Sequence, residues 1–401
     1  MLQVEDAQQR IRAALRPLGT ETVRLADAAG RVLAERVVAP MDLPAFDNSA
    51  MDGYALRAAD VAGARPETAV RLALVGRSAA GEVFRGQVES GRCVRVFTGS
   101  ILPEGADAVV MQEDTAVDAS DPAVVLVHDA VKPWENVRFR GEDVKRGAVV
   151  SEPGARLGAG RLSLLGAFGI GEVSVGRRPR VALLATGSEL REAGQPLGPG
   201  QIYESNRVGL AALVRRHGGV PIAYPLVPDD LGATQAALEC ALTECDLVVS
   251  TGGASVGELD LVKAAFEQLG GQIDLWRVAI KPGKPFAFGR WREKFLFGLP
   301  GNPVSALVCF CVFVVPALGA LQGALEVELP ASLGVLAEPL ANRGDRRHFI
   351  RVKLSADGAV KSAGTQASHI LSAVAEADGL VDVPSRTTLE AGRSVRVLRW
   401  E

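Results

Sequence analysis

Two stretches indicate the fold most clearly: RVALLATGSEL at residues 180–190 and DLVVSTGGAS at residues 246–255. In the first stretch an apolar run of strand length is followed directly by a Thr-Gly turn, and in the second Ser250 stands between the apolar run and the Thr-Gly turn. Because strands that are buried on both faces are apolar throughout, these runs predict strands of a parallel sheet. Helical patterns separate such runs along the chain, so we expect a mostly parallel, doubly wound α/β sheet.

The same alternation extends over the middle of the chain. Strands are predicted at residues 181–185, 220–227, 246–250 and 295–298, and helices at residues 205–217, 230–243, 259–269 and from residue 304 onward. Ser205 or Asn206 is the expected N-cap of the first helix, and Gly218 is expected to end it. The apolar run 304–321 approaches the length of a membrane span, but Pro316 interrupts it and a glycine-rich loop precedes it, so we expect a buried core helix.

Different patterns flank this α/β part. Residues 4–18 have helical periodicity, and residues 70–131 contain short β-branched runs separated by Gly, Pro and Asp, which predicts a small all-β domain. Residues 138–176 are rich in Arg, Gly and Glu and are interpreted as a connecting element. Short alternating strands return after Pro330 and predict a second small β domain.

Composition and charge exclude several classes of protein. The 401 residues include 48% hydrophobic and 23% charged residues, which excludes a mainly disordered chain. Lys and Arg number 44 against 47 Asp and Glu, so no overall basic field recruits nucleic acid. The five cysteines have no framework spacing, the four histidines have no zinc-site spacing, and no export signal opens the chain. We therefore expect a cytoplasmic protein with reduced thiols and no membrane segment.

Glycines and hydroxyl groups follow the predicted strands. In an open parallel sheet these loops meet at the carboxyl edge, where ligands bind, and their backbone N–H groups can hold a phosphate or another oxyanion. Any one of these glycines alone is more simply explained by a tight turn. Several such loops at one edge favour a binding site made by Thr186, Gly187, Ser188, Thr251, Gly252, Gly253, Ser255, Pro300, Gly301, Asn302 and Pro303.

Three carboxylates accompany these loops. Glu189, Asp229 and Asp260 could hold Mg²⁺ against a phosphate, since this ion is bound by few carboxylates and several waters. The alternative for Asp260 is a structural one, in which an acid in the first turn of a helix interacts favourably with the helix dipole.

The segment IKPGKPF at residues 280–286 places two lysines between prolines and a glycine. Lysines that are simply solvated need no such rigidity, so Lys281 and Lys284 are predicted to hold a tetrahedral oxyanion. A basic turn between strands, or lysines paired with nearby acids, is the alternative. No P-loop and no dinucleotide-binding fingerprint is present, which disfavours ordinary nucleotide-phosphate and nicotinamide chemistry.

Seven segments together resemble the molybdopterin molybdenumtransferase family, over nearly the whole chain. They are residues 48–55, 97–99, 140–143, 186–190, 251–260, 280–286 and 298–305. The resemblance implies four domains: a split elongated domain at residues 1–43 and 138–176, a small β domain at 44–137, a molybdopterin-binding three-layer α/β domain at 177–325, and a C-terminal β barrel at 326–401. It also implies an elongated homodimer.

The resemblance further implies a reaction and a set of roles. Adenylylated molybdopterin loses AMP while molybdate is bound by the dithiolene, with Mg²⁺ assisting. Lys281, Lys284 and Ser305 would hold molybdate, and Asp229, Asp260 and Glu189 would serve the pterin or the metal. The same resemblance points to Asp52, Thr98 and Arg140 from the β domain, to Pro300 and Pro303 as cavity wall, and to Arg346 and Ser368 from the barrel.

Residue 348 departs from the family pattern, because His348 stands where an acid is common, which weakens the assignment of Arg346 as an anion ligand. From residue chemistry alone, the segments around Asp52, Thr98 and Arg140 are more often turns than sites. Two other functions remain open. One is a nucleotide-acting enzyme of the competence-damage type, and the other is a scaffold similar to the E domain of gephyrin. A molybdopterin adenylyltransferase and molybdoenzyme maturation factors are the expected protein partners.

Overall fold

The computed structural model describes residues 1–252 and 261–400. The chain divides into two compact units, one of Met1–Glu35, Pro153–Ala159 and Glu172–Glu401, and the other of Arg36–Glu152 and Gly160–Gly171. The first unit contains an α/β sheet and a β barrel, and the second contains a small β sheet. The four-domain boundaries expected from the sequence stay a prediction.

A six-stranded sheet forms the centre of the first unit. Its strands, in spatial order, are Val220–Ala223, Arg180–Ala185, Leu247–Thr251, Lys294–Leu299, Ala287–Trp291 and Gln272–Trp276. The first four are parallel, which confirms the mostly parallel sheet, whereas the last two are antiparallel to their neighbours. Those two antiparallel strands were not among the strands predicted from the sequence.

Helices cover both faces of this sheet, as a doubly wound fold requires. The helices of the first unit are Val4–Ala14, Asn206–Arg216, Leu231–Glu244, Leu261–Gln268, Pro303–Cys309, Val315–Leu321 and Ser372–Ala375, with a π-helical turn at Phe310–Val314 and a further helix, Ala159–Ala167, that begins in this unit. Along the strand Arg180–Ala185, the side chains of Val181 and Leu183 belong to one buried cluster, and those of Ala182 and Leu184 belong to a second cluster on the opposite face. The period of two therefore buries both faces of the strand.

The predicted core helix lies inside the first unit. Residues Pro303–Leu321 are long and apolar enough to cross a membrane, with a mean hydropathy of 2.5, but 83% of their 18-residue window is buried inside the protein. The N-terminal helix packs against this segment through Val4, Ala7 and Ile11, and the amide of Gln8 donates to the carbonyl of Val312 at 3.1 Å. Burial by protein on this scale is typical of a core helix.

A closed barrel of five strands forms the C-terminal part, which confirms the small β domain predicted from the strand pattern and the barrel that the family resemblance implied. Its strands are Ala331–Leu336, Arg347–Leu354, Ala359–Ser362, Gly379–Val383 and Ser394–Leu398, with a flanking pair at Leu340–Asn342 and Thr387–Leu389. The short strand Ile280–Lys281 of the α/β part adds in parallel to Arg347–His348 of the barrel. The lysine segment, residues 280–286, is thereby joined directly to the barrel.

The second unit contains the predicted small β domain. Its sheet has the order Ala108–Met111, Gly53–Leu56, Arg92–Val96, Val70–Ser78, Asp121–Val127 and Thr115–Asp118. Shorter pairings in this unit join Asn48–Ser49 to Val137–Arg138, and Val37–Val38 to Val149–Ser151. In the first unit, Thr20–Arg24 pairs with Glu172–Gly176. Single-turn 3-10 helices occur at Leu25–Asp27, Ala58–Val61 and Gln112–Asp114.

Asp230 is the N-cap of the helix Leu231–Glu244, and its carboxylate accepts a hydrogen bond from the Ala233 N–H at 2.7 Å. Asp230→Ala is expected to lower the free energy of unfolding by about 1 kcal/mol, because an N–H of the first turn loses its partner. Asp230→Asn, which still offers a capping oxygen, should stay close to the parent in the same urea titration. Equal losses in both variants would mean that the cap itself contributes nothing.

Candidate active site

A cavity of about 430 Å³ opens at the carboxyl ends of the parallel strands. This is the edge where the sequence predicted a binding site. The predicted residues that line the cavity are Thr186, Glu189, Thr251, Gly252, Pro300, Gly301, Asn302 and Pro303. The other lining residues, which the sequence did not single out as site residues, are Leu190, Ile202, Tyr203, Glu204, Ser205, Asn206 and Pro285. The rule that ligands bind at this edge could have found Asn206, since it begins the helix after the first strand.

Gly252 allows two loops to approach each other beside the cavity. Its φ is +84°, and a Cβ at this position would lie 2.3 Å from the carbonyl oxygen of Thr186. The two loops are also bonded, because the Thr186 N–H donates to the Thr251 carbonyl at 3.0 Å. Gly252 therefore serves both a left-handed conformation and a close approach.

The backbone N–H groups of residues 186–188 are used by the fold itself. Thr186 donates to Thr251, Gly187 donates to the Val227 carbonyl at 3.0 Å, and Ser188 donates to a carboxylate oxygen of Asp229 at 3.0 Å. Ser188 Oγ in turn accepts from the Asp229 N–H at 3.0 Å. These contacts tie the loop after the strand Arg180–Ala185 to the loop after the strand Val220–Ala223. The N–H groups of residues 186–188 are therefore not available to an oxyanion, and the hydroxyls of Thr186 and Ser188 are left to contact a ligand there.

Two side-chain oxygens of lining residues are buried without a hydrogen-bond partner in the part of the chain that the structure describes. They are Thr186 Oγ1 and Asn206 Oδ1. The Asn206 amide is held in place, because its Nδ2 donates to the Gly301 carbonyl at 2.9 Å. Since buried polar atoms are nearly always bonded, these two oxygens are acceptors that a polar ligand or a water in the cavity can contact.

The predicted metal ligands have different surroundings. Glu189 lines the cavity, Asp229 accepts a hydrogen bond from Ser188, and Asp260 lies outside the described residues, as do Gly253 and Ser255. Among residues 1–252 and 261–400, no three His, Cys, Asp or Glu side chains form a group that could hold a metal ion. The oxygens at the cavity, from Glu189, Thr186 and Asn206, are nevertheless the hard donors that Mg²⁺ prefers.

The lysine segment is anchored at both ends. Ile280 and Phe286 are fully buried, and the Phe286 ring lies 4.3 Å from the ring of Phe313 between centroids. Gly283 has φ +119°, and a Cβ there would lie 2.3 Å from Cys309 Sγ. Between these anchors Lys281 is half-buried and Lys284 is exposed. The segment does connect two strands, as the alternative interpretation supposed, but it is packed rigidly rather than solvated.

Residues of the barrel and of the core helix meet this region. Asn302 Nδ2 donates to Ser368 Oγ at 3.3 Å, and Arg346 Nη1 donates to the Ile280 carbonyl at 3.2 Å. Ser305 is buried in the first turn of the helix Pro303–Cys309. The structure thus places Ser368 beside the cavity wall and Arg346 beside the lysine segment.

The remaining predicted residues belong to the second unit. Asp52 accepts hydrogen bonds from both the backbone N–H and the hydroxyl of Thr98, each at 2.8 Å. Arg140 forms an ion pair with Asp42 at 2.6 Å, and its backbone N–H donates to Asp47 at 2.7 Å. Asp52 and Thr98 therefore form one group, whereas Arg140 belongs to a second group with Asp42.

The Thr98 hydrogen bonds, first that of the backbone N–H and then that of the hydroxyl, lower the pKa of Asp52 below its ordinary value. Thr98→Val removes only the hydroxyl, and we expect the pKa of Asp52 to rise part of the way back. Because the pKa in the folded state is lowered, the stabilisation is present above the ordinary Asp value and disappears as the pH falls. A carboxyl ¹³C NMR titration measures this change.

The matched control for this titration is Thr115→Val, which removes a hydroxyl that donates to the Gln112 carbonyl in the same unit. It should leave the Asp52 titration unchanged. An Asp52 pKa that is equally low with and without the Thr98 hydroxyl would show that the backbone N–H alone determines it.

Three family models match successive parts of the chain. They are described as "MoeA N-terminal region (domain I and II)" at residues 2–169, "Probable molybdopterin binding domain" at residues 182–320, and "MoeA C-terminal region (domain IV)" at residues 334–400. The middle match coincides with the sheet and its cavity. The fold and the three family matches together show the class of protein: it is a multidomain protein of molybdenum cofactor biosynthesis, built around a molybdopterin-binding α/β domain.

Full-length relatives narrow this class. The chain is 39% identical to the molybdopterin molybdenumtransferase of Haemophilus influenzae, with 99% of this chain and 98% of the relative covered. It is 38% identical to molybdopterin molybdenumtransferase 2 of Mycobacterium tuberculosis, with both chains fully covered. A solved structure, the molybdopterin biosynthesis moeA protein from Pyrococcus horikoshii, matches with a TM-score of 0.85 at 32% identity, covering 99% of each chain. The chain belongs to the molybdopterin molybdenumtransferase family.

Proposed function

We propose that this protein is a molybdopterin molybdenumtransferase that inserts molybdate into adenylylated molybdopterin with release of AMP. The observation that supports this most strongly is the cavity at the carboxyl edge of the sheet, where the oxygens of Thr186 and Asn206 have no hydrogen-bond partner among the residues that the structure describes. A volume of about 430 Å³ is in the range of small-molecule sites. The full-length relatives disfavour the competence-damage and scaffold alternatives, because similarity extends well beyond the α/β domain.

The chain's own residues would act mainly by positioning. Lys281 and Lys284 provide positive charge for molybdate, a tetrahedral dianion, while Ser305, Arg346 and Ser368 add hydrogen-bond donors beside it. Pro300 and Pro303 shape the wall where the pterin is held. Since reacting groups held in the right geometry gain several orders of magnitude in rate, no nucleophilic side chain is needed.

We also propose that Mg²⁺ is the cofactor. Glu189 would hold it together with Asp229 and Asp260, and the bound ion would neutralise negative charge on the phosphoanhydride. Asp52, Thr98 and Arg140 are proposed to contribute to the same reaction. Alanine variants at these three positions should lower AMP release even at temperatures where circular dichroism shows that each variant is still folded.

A homodimer in the cytoplasm is the proposed state of the protein, with a molybdopterin adenylyltransferase supplying the adenylylated pterin and molybdoenzyme maturation factors receiving the product. Light scattering on the purified protein tests the first point directly, since a dimer has twice the 42.0 kDa of one chain. A mass of one chain across micromolar concentrations would contradict the dimer.

The reaction itself is tested by mixing the purified protein with adenylylated molybdopterin, Mg²⁺ and molybdate and measuring AMP by chromatography. We expect AMP release that depends on molybdate and stops when Mg²⁺ is chelated. Molybdate-independent release at the same rate would instead indicate a nucleotide hydrolase.

A further inference from the structure

His348 lies directly beside the lysine segment. It is only 4% exposed, and it pairs in parallel register with Lys281. Paired residues of adjacent strands direct their side chains to the same face of the sheet, so the imidazole and the ammonium group are neighbours. On the other side of its strand, His348 pairs with Val383, which has no charge.

Neither ring nitrogen of His348 has a hydrogen-bond partner within residues 1–252 and 261–400, although buried polar atoms are nearly always bonded. A neutral imidazole has one N–H and one nitrogen lone pair, so the ring has an unused donor and an unused acceptor. An unpartnered ring this deeply buried, next to a lysine predicted to bind an anion, is placed to respond to that anion.

Among the described residues, the charged groups that shift the pKa of His348 are cations. They are Lys281 from the lysine segment and Arg346 and Arg351 from its own end of the barrel. Arg351 is fully buried and donates to the Thr365 and Ala367 carbonyls, while the nearby carboxylate of Asp382 is paired with Arg347. Burial, followed by these three cations, lowers the pKa of His348 to about 4, so the ring is neutral at pH 7.

A dianion beside Lys281 reverses this field. The negative charge of the dianion favours the imidazolium and therefore raises the pKa of His348 towards the neutral pH range. By linkage, whatever raises the pKa on binding also makes binding tighter as the pH falls between the free and bound values.

We propose that His348 takes up one proton from solvent when a tetrahedral dianion binds beside Lys281, and so becomes an additional cation of the oxyanion site. The proton binds the lone pair of the free ring nitrogen, and no other bond changes. This inference rests on the proposed function, because it requires an oxyanion at the lysine segment. While the site is empty the ring stays neutral, so the site carries no further buried charge before the anion binds.

Calorimetric titration of molybdate into the full-length protein tests the proposal. The titrations are run at about pH 6.5 in two buffers that differ in ionisation enthalpy and contain no anion that competes with molybdate. The difference between the two binding enthalpies gives the number of protons that the protein takes up. We expect roughly 0.3–1 proton for the parent protein and about 0 for His348→Gln, which keeps a neutral polar side chain. Sulfate, which does not titrate in this range, should give the same difference at its own affinity.

His217→Gln is the matched control, since burial and the nearby Arg156 and Arg216 likewise lower the pKa of His217 to about 4, and its side chain belongs to the helical part of the first unit. It should keep the parent's proton uptake. Unchanged uptake in His348→Gln, even with weaker binding, would overturn the role of His348 and leave the oxyanion site intact. Absence of molybdate binding to the parent protein, with and without pterin, would overturn the proposed oxyanion site and this inference together.

Discussion

Lys281→Ala is expected to lower the rate of molybdate-dependent AMP release by about 10- to 150-fold, equivalent to roughly 1.5–3 kcal/mol for a charge-assisted contact. The reason is geometric as well as electrostatic. Lys281 is held between the fully buried Ile280 and the rigid turn at Gly283, so its charge is already in position before the oxyanion arrives. Binding of the adenylylated pterin, measured by its fluorescence, should be retained.

Lys361→Ala is the control for this experiment, because Lys361 is an exposed lysine on the barrel strand Ala359–Ser362. Its AMP release should equal that of the parent. Lys284→Ala is expected to change the rate in the same direction as Lys281→Ala. Parent-like rates in both Lys281→Ala and Lys284→Ala would contradict the role assigned to the lysine segment.

Gly252→Ala is expected to lower the free energy of unfolding by roughly 2–4 kcal/mol, the largest effect on stability that we predict. A left-handed φ costs an alanine about 1 kcal/mol. The Cβ would in addition lie 2.3 Å from the carbonyl oxygen of Thr186, and this overpacking costs further stability because it forces the two loops apart. The loops concerned form the cavity wall, so pterin binding should weaken in parallel. Urea unfolding followed by tryptophan fluorescence measures the free energy of unfolding.

Gly270 offers a closely matched comparison. Its φ of +83° is nearly that of Gly252, but a Cβ at this position would meet nothing within 4 Å. Gly270→Ala should therefore show only the backbone cost, about 1 kcal/mol, and leave pterin binding unchanged. Equal destabilisation by the two substitutions would mean that the close approach of Gly252 to Thr186 adds nothing to the cost of an alanine at residue 252.

The sequence predicted the parallel part of the sheet well because its strands are continuous apolar runs. Val181 and Leu183 face one helical layer while Ala182 and Leu184 face the other, and this double burial is visible in the sequence itself. The strands Gln272–Trp276 and Ala287–Trp291 were missed. They are antiparallel strands at the far side of the sheet, flanking a segment whose prolines and glycine dominate the local pattern.

The site residues that come directly after parallel strands were predictable from the sequence. Thr186, Thr251 and Pro300 come directly after or at the ends of parallel strands, so one topological rule brings them together. The pairing of Lys281 with His348 is different, because it joins a short strand to a barrel far along the chain, and no local pattern encodes such a contact. The occupation of the N–H groups of residues 186–188 by protein oxygens was likewise visible only in three dimensions.

In the proposed reaction, cleavage of the adenylylated pterin is coupled to insertion of the metal. The most direct measurement is the ratio of molybdenum retained on the pterin, by elemental analysis, to AMP released, by chromatography, in the same reaction. We predict a ratio near one with molybdate, and no AMP release when sulfate, an oxyanion of the same charge and shape, replaces it. AMP release without retained molybdenum would contradict this coupling.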